Sequence, residues 1–279
     1  MAYRSILTVV TNPAAIPQVL DSAAAMARRE KAHLDILCTG IDRTQTGYYY
    51  AGANAMILQE TLERAQQDAD ELAAAARGQM QKSDVSWNVE SAVAQIAGLS
   101  QLVAERARFA DLVVLPRPYG ENRDIEDEAV IEAALFEGRA PVLVVPGNDL
   151  PKDFGRRIVL AWNESREALA AVRATMPLLA TADLVDIAII DPPQHGPDRS
   201  DPGGRLSQMI ARQGARVEVS VLAKTMPRVS DVLRRHVADI GADMVVMGAY
   251  GHSRFREAIL GGATRNMLES CEVPVLLAH

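Results

Sequence analysis

The sequence predicts an α/β fold laid down twice, as two tandem repeats, each a parallel sheet covered by helices on both faces. Three observations predict it. Short β-branched runs alternate with helical stretches at the lengths that βαβ crossovers need. The plan recurs in register: Asp111 and Asp243 lie 132 residues apart, and Pro141 and Pro274 lie 133 apart, as duplication requires. A chain of 279 residues also exceeds one typical domain and suits two of about 140, each large enough to bury a core. Pro, Gly, Asn and Asp cluster from Pro146 to Gly155, which sets a first domain over 1–147 and a second over 156–279.

Taken in order, Ser5 to Val10 (SILTVV) is a first strand, followed by an Ala-rich helix from about Ile16 to Lys31 with Val19, Ala23, Met26 and Ala27 at helical spacing. Leu34 to Cys38 is a second strand. Asp42 to Asn54 is a loop, whose Tyr48, Tyr49 and Tyr50 suit either stacking on a base or packing over the domain surface. Met56 to Gln81 is a long amphipathic helix, Trp87 to Ala92 a third strand, Ile96 to Arg108 a helix, Asp111 to Leu115 a fourth strand and Leu143 to Val145 a fifth. The second half answers with Arg157 to Ala161, Val185 to Ile190, Val217 to Leu222, Met244 to Met247 and Val273 to Leu277.

The stretch from Asp243 to Thr264, DMVVMGAYGHSRFREAILGGAT, carries the chemistry. An apolar strand ends on Gly248 and Gly251, a helical segment runs from about Ser253 to Leu260, and Gly261-Gly262 opens another helix at Ala263. A helix N-terminus leaves backbone N–H groups unpaired, and glycines let an anion approach them, so the arrangement suits a phosphate group. His252 and Arg254, between the glycines, are placed to face phosphates, although a lone loop His is more often solvent-exposed.

The spacing G-x2-G-x9-G directly after a strand, at Gly248, Gly251 and Gly261, resembles the nucleotide signature of the universal stress protein family. The resemblance extends over both halves as a tandem arrangement, with the motif itself confined to the second. It implies a Rossmann-like, five-stranded parallel sheet sandwiched by helices in each half. It further implies an adenine nucleotide, ATP first, with or without Mg, held in the second half by the three glycines, Gly262, Ala263 and Thr264, with Arg254 a candidate from its place between the glycines alone. That family usually carries Ser or Thr after the third glycine, where Gly262 stands here; Thr264 matches a position where it often carries Thr. Asn163 stands where the family commonly has Asp, so it keeps a hydrogen bond to a ribose hydroxyl but lacks the charge that helps hold a metal ion. A local Asx turn is the competing reading of Asn163. Ile190 marks the strand end where the family lays adenine against backbone groups.

The corresponding place in the first half, Leu115 to Glu128, has Pro116 and Pro118 in place of glycines, and Glu121, Asp124, Glu126, Asp127 and Glu128 to repel phosphate. It reads as a degenerate site kept for packing, with a metal or cation site as the rival. Charge divides the same way: residues 1–150 hold 13 Lys and Arg against 21 Asp and Glu, residues 151–279 hold 16 against 15. The half with the glycines therefore tolerates a polyphosphate better.

A net charge of −7 argues against nucleic acid as the partner, and no apolar run approaches the roughly 20 residues that span a bilayer. The start of the chain lacks the layout of a signal peptide, so a cytoplasmic protein is expected. Cys38 and Cys271, far apart, read as buried free thiols. P-loop, dinucleotide and Cys-His metal spacings are missing, as is a Ser-His-Asp order with local support, and no residue presents itself as a general base or nucleophile. Slow ATP hydrolysis stays open. The expected function is a stress-responsive binding or regulatory module with an unspecified protein partner; the alternative is a ligand-free interaction protein. Family members usually pair through their last strands, so Val142–Val145 and Val275–Leu277 are expected to pair in an internal pseudo-dimer of the two halves, with a homodimer as a further option.

Overall fold

The computed structural model describes residues 3–43, 54–120, 123–147, 149–192, 201–249 and 262–279. They fall into two compact units, Met1–Ala140 and Pro141–His279. In the first unit the chain runs β1 (Ser5–Val10), α1 (Ile16–Glu30), β2 (His33–Asp42), α2 (Asn54–Met80), β3 (Ser86–Gln95), α3 (Ile96–Ala107), β4 (Leu112–Pro116) and α4 (Ile125–Glu132). Its strands lie parallel in the order β3-β2-β1-β4, with Ile6 beside Leu34 and Leu112. Ile6, Leu7, Val9 and Val10 are all buried, as expected of a strand covered on both faces. Val19, Ala23, Met26 and Ala27 of α1 are buried as their spacing predicts.

The second unit contains β5 (Val142–Val145), β6 (Arg157–Ala161), α5 (Arg166–Leu179), β7 (Leu184–Ile190), α6 (Gly204–Ala211), β8 (Val217–Leu222), α7 (Val229–Asp239), β9 (Met244–Gly248), a helix Ala263–Ser270 that we call α8, and β10 (Val275–Ala278). Five strands are parallel in the order β10-β9-β6-β7-β8. The boundary differs from the one read in the sequence: β5, which closes the first repeat in chain order, falls with the second unit. The reason is its antiparallel ladder with β10, where Val144 faces Val275 and Val142 faces Leu277. The two segments expected to pair therefore do so.

The repeated Asp has a structural task. Asp111 accepts from the backbone N–H groups of Arg4 at 2.6 Å and Ser5 at 3.0 Å, so it fastens the start of β1 beside β4. Asp243 does the same for β6, accepting from Gly155 at 2.9 Å, Arg156 at 3.1 Å and Arg157 at 3.2 Å. A short carboxylate just before one strand thus satisfies the unpaired donors that lead into its neighbour. These bonds compete with water, so Asp243→Ala is expected to cost about 1–2 kcal/mol, with Asp243→Asn losing less. Chemical denaturation of the two variants checks the order; equal losses would show that charge plays no part.

Both cysteines are buried and neither is in a disulfide, as expected, and burial pushes the Cys38 thiol up to about 11. Among the described residues no helix is long and apolar enough to cross a membrane.

Candidate functional site

In the second unit the chain leaves β6 toward one side of the sheet and returns to build β9 on the other, so the two neighbours are a topological switch point. A crevice forms outside the carboxyl ends of such strands, because the connections diverge there. Here it is a pocket of about 290 Å³. Ala161, Trp162 and Asn163 come from the end of β6, Ala188 and Ile190 from β7, and Met247 and Gly248 from β9. The starts of two helices close it, with Ser230 and Leu233 from α7 and Ala263, Thr264 and Met267 from α8.

Five of the residues singled out in the sequence therefore meet around one cavity: Asn163, Ile190, Gly248, Ala263 and Thr264. Gly262 adjoins them as the N-cap of α8. Gly251, Arg254 and Gly261, with His252 and the tyrosines 48–50, lie outside the described residues. Both readings of Asn163 meet in the geometry. Its Oδ1 accepts from the Ser165 N–H at 3.2 Å, an Asx turn, while the residue still lines the pocket with its amide NH2 as the group left to donate. Asn12, after β1, makes the equivalent turn with Ala14 at 2.9 Å.

Gly248 serves a purpose that spacing alone does not reveal. A Cβ there would lie 2.6 Å from the carbonyl carbon of Glu167 and closer still to the Ala168 nitrogen. The first turn of α5 thus rests directly on the end of β9, and Ser165 caps that turn by accepting from Ala168 N–H at 3.0 Å. The glycine is required by close backbone packing at the pocket's edge.

At α8 the N-cap residue has no side chain, and its backbone is extended at φ −55 and ψ 155. The first N–H groups of the helix have no partner within it, and the positive end of its dipole meets the pocket through Ala263 and Thr264. Ser230 adds a hydroxyl that the sequence reading missed. It is 1 % exposed, lines the same pocket, and its Oγ has no hydrogen-bond partner. A buried hydroxyl left so is costly, which is reason to expect a ligand or water there. Trp162, also missed, adds an indole N–H and an aromatic wall. No carboxylate, guanidinium, amine or imidazole lines the cavity among the described residues.

The first unit has a pocket too, of about 540 Å³, outside the ends of β1 and β2. Its chemistry is opposite: Asp68 and Glu71 from α2 and Asp124, Glu126 and Asp127 at the start of α4 line it, against Arg43. The acidic stretch is largely helix, and several of its carboxylates are engaged. Asp127 accepts from the Asp124 N–H at 2.9 Å, Glu126 takes Arg43 at 3.0 Å, and Glu128 accepts from the Tyr119 hydroxyl at 2.8 Å. Burial pushes the Asp127 carboxyl above the usual carboxylate range. Among the described residues no group of three potential ligands converges on a metal position.

Elsewhere, His236 Nε2 lies 2.8 Å from Asp186 Oδ1, and the Ser220 hydroxyl donates to Asp186 Oδ2 at 2.7 Å. The carboxylate sits between the other two, so the hydroxyl does not reach the imidazole that would have to deprotonate it. The trio ties α7, β7 and β8 together.

Against known proteins, residues 155–279 match the model of the universal stress protein family. Over those residues, the second unit from β6 onward, the chain carries a universal stress protein domain. Its match covers all of β6 to β10 and the pocket between them. A universal stress protein of Synechocystis is 27% identical over 137 residues, which is 45% of this chain and 44% of that relative, so the match spans less than half of the relative's length. A universal stress protein of Archaeoglobus fulgidus, 14% identical, superposes over 100% of this chain and 96% of its own with a TM-score of 0.70, which shows a shared fold. A universal stress protein solved in complex with cAMP is 24% identical over 44% of this chain and 97% of its own, with a TM-score of 0.35.

Proposed function

We propose that the universal stress protein domain in the second unit binds an adenine nucleotide, ATP first, and that the chain acts as a nucleotide-dependent binding or regulatory module of the stress response. The observation that carries this reading is a neutral switch-point pocket with the start of α8 on one side and a partnerless buried hydroxyl, Ser230 Oγ, on another. Ile190, Val229, Leu233, Met247 and Met267 give the pocket the apolar walls that a flat base fills. The α8 N-terminus, reached past Ala263 and Thr264, suits the phosphates. Gly251, Arg254 and Gly261 complete the proposed contact set with Asn163 and Gly262. The described residues fit the nucleotide but bring no carboxylate to a magnesium ion, so Mg would be held by the phosphates and water. With no base or nucleophile lining the pocket among those residues, binding rather than turnover is the proposed activity.

Titration of the full chain with ATP, followed by calorimetry, tests the reading. One nucleotide per chain is expected, because five carboxylates line the pocket of the first unit. Ser230→Ala is expected to weaken ATP by about threefold to tenfold, the worth of one neutral hydrogen bond, while leaving the ligand-free protein as stable or slightly more so. No heat with ATP, together with no nucleotide detected by mass spectrometry after denaturing the purified protein, would favour a ligand-free interaction protein instead.

A further inference from the structure

We propose that the pocket of the first unit binds a small organic cation, an aliphatic diamine or polyamine, through its carboxylates and the buried hydroxyl of Thr39. Thr39 is 0 % exposed, lines this pocket near the end of β2, and its Oγ1 has no hydrogen-bond partner. Its hydroxyl lacks both a donor and an acceptor partner in the lining of an acidic cavity, and an ammonium N–H would donate to its oxygen.

The charge balance sets the ligand's sign. Glu126 is paired with Arg43 at 3.0 Å, and Asp127 lies 3.7 Å from Arg123. Asp68, Glu71 and Asp124 also line the pocket, and among the described residues none of the three has a basic group within ion-pair distance. A concave site with unneutralised carboxylates concentrates cations and repels phosphate. A bound cation also relieves the cost that burial places on the Asp127 carboxylate.

Size and lining set its class. The cavity, about 540 Å³, is far larger than a metal ion, and no three ligands converge on one point among the described residues. Pro13, Ile41, Leu72 and Ala75 give apolar wall between the charges. That alternation fits a methylene chain with an ammonium at each end, the chain lying on the apolar wall and the heads reaching the carboxylates.

The probe is putrescine, titrated into the full chain by calorimetry at about 0.15 M salt, where exposed long-range attraction is largely screened. One saturable site is expected. Asp68→Asn, at an exposed position on α2 where folding is not at stake, is expected to weaken it by about tenfold. Thr39→Val, close in shape, is expected to weaken it severalfold with the melting temperature unchanged or raised. Ser230→Ala leaves putrescine binding unaltered, so failure of the nucleotide reading and failure of this one are separable. Lack of saturation up to about 10 mM, or saturation unaffected by both first-unit substitutions, would overturn the proposal. Binding of Mg²⁺ without binding of putrescine would overturn it in favour of a metal ion.

Discussion

Gly248→Ala is expected to lower the melting temperature of the second unit by about 10 °C and to remove most ATP binding with it. The added Cβ would lie 2.6 Å from the Glu167 carbonyl carbon and nearer to the Ala168 nitrogen, and both obstacles are backbone. A flexible side chain could swing away, but here the first turn of α5 must shift or β9 must bend. Overpacking of this kind costs about 1–3 kcal/mol, and contact with backbone places it at the upper end. At the steepness usual for a unit of this size, about 3 kcal/mol corresponds to roughly 10 °C. Binding falls because β9 and the turn leading into α5 form two sides of the pocket, with Met247 and Asn163 at their ends. Differential scanning calorimetry with and without ATP measures both effects. A melting temperature within about 2 °C of the parent would show that α5 yields and that Gly248 is not a packing requirement. Gly40 has the same role at the end of β2, where a Cβ would meet the Ala65 carbonyl of α2.

The sequence made the elements legible wherever an apolar period ran long enough. The buried strands β1, β4, β6, β7 and β9 were plain, and so were α1 and the length of α2. It was also enough to bring Asn163, Ile190, Gly248, Ala263 and Thr264 to one cavity, because residues at the carboxyl ends of parallel strands converge whatever their intervening distance. What it could not show were facts that depend on a neighbour. The reason for Gly248 lies in α5, some 80 residues earlier, and no local signal distinguishes a glycine that admits a phosphate from one that admits a helix. Glu126 and Asp127 read as a charge run, yet one is buried against Arg43 and the other serves the start of α4. The membership of β5 is set by a ladder with β10, 130 residues on. Ser230 carried no signal, since a Ser in the first turn of a helix ordinarily reads as part of its cap. Only the fold shows that its Oγ is left without a partner.

Gly262→Asp should separate binding from stability more sharply than any other substitution at the second-unit site. Gly262 is the N-cap of α8 with φ −55 and ψ 155, a conformation open to any L residue, so the glycine is not demanded by its backbone. Asp is among the best N-cap residues: its carboxylate accepts from the N–H groups of the first turn and meets the positive end of the dipole. The ligand-free protein is therefore expected to keep its stability or gain a few tenths of a kcal/mol. The same carboxylate takes the donors that a phosphate would use and sets a negative charge against it. A charge-assisted hydrogen bond is worth about 1.5–3 kcal/mol, and repulsion adds to the loss, so ATP affinity should fall by about thirtyfold or more. Gly262→Ser is the informative companion, since it offers a hydroxyl at the N-cap and no charge, and it should bind ATP at least as well as the parent. Calorimetric titration of the two variants beside their thermal melts reads all four quantities. If Gly262→Asp binds ATP as tightly as the parent while melting normally, the phosphates do not sit at the start of α8, and the nucleotide reading of this pocket falls.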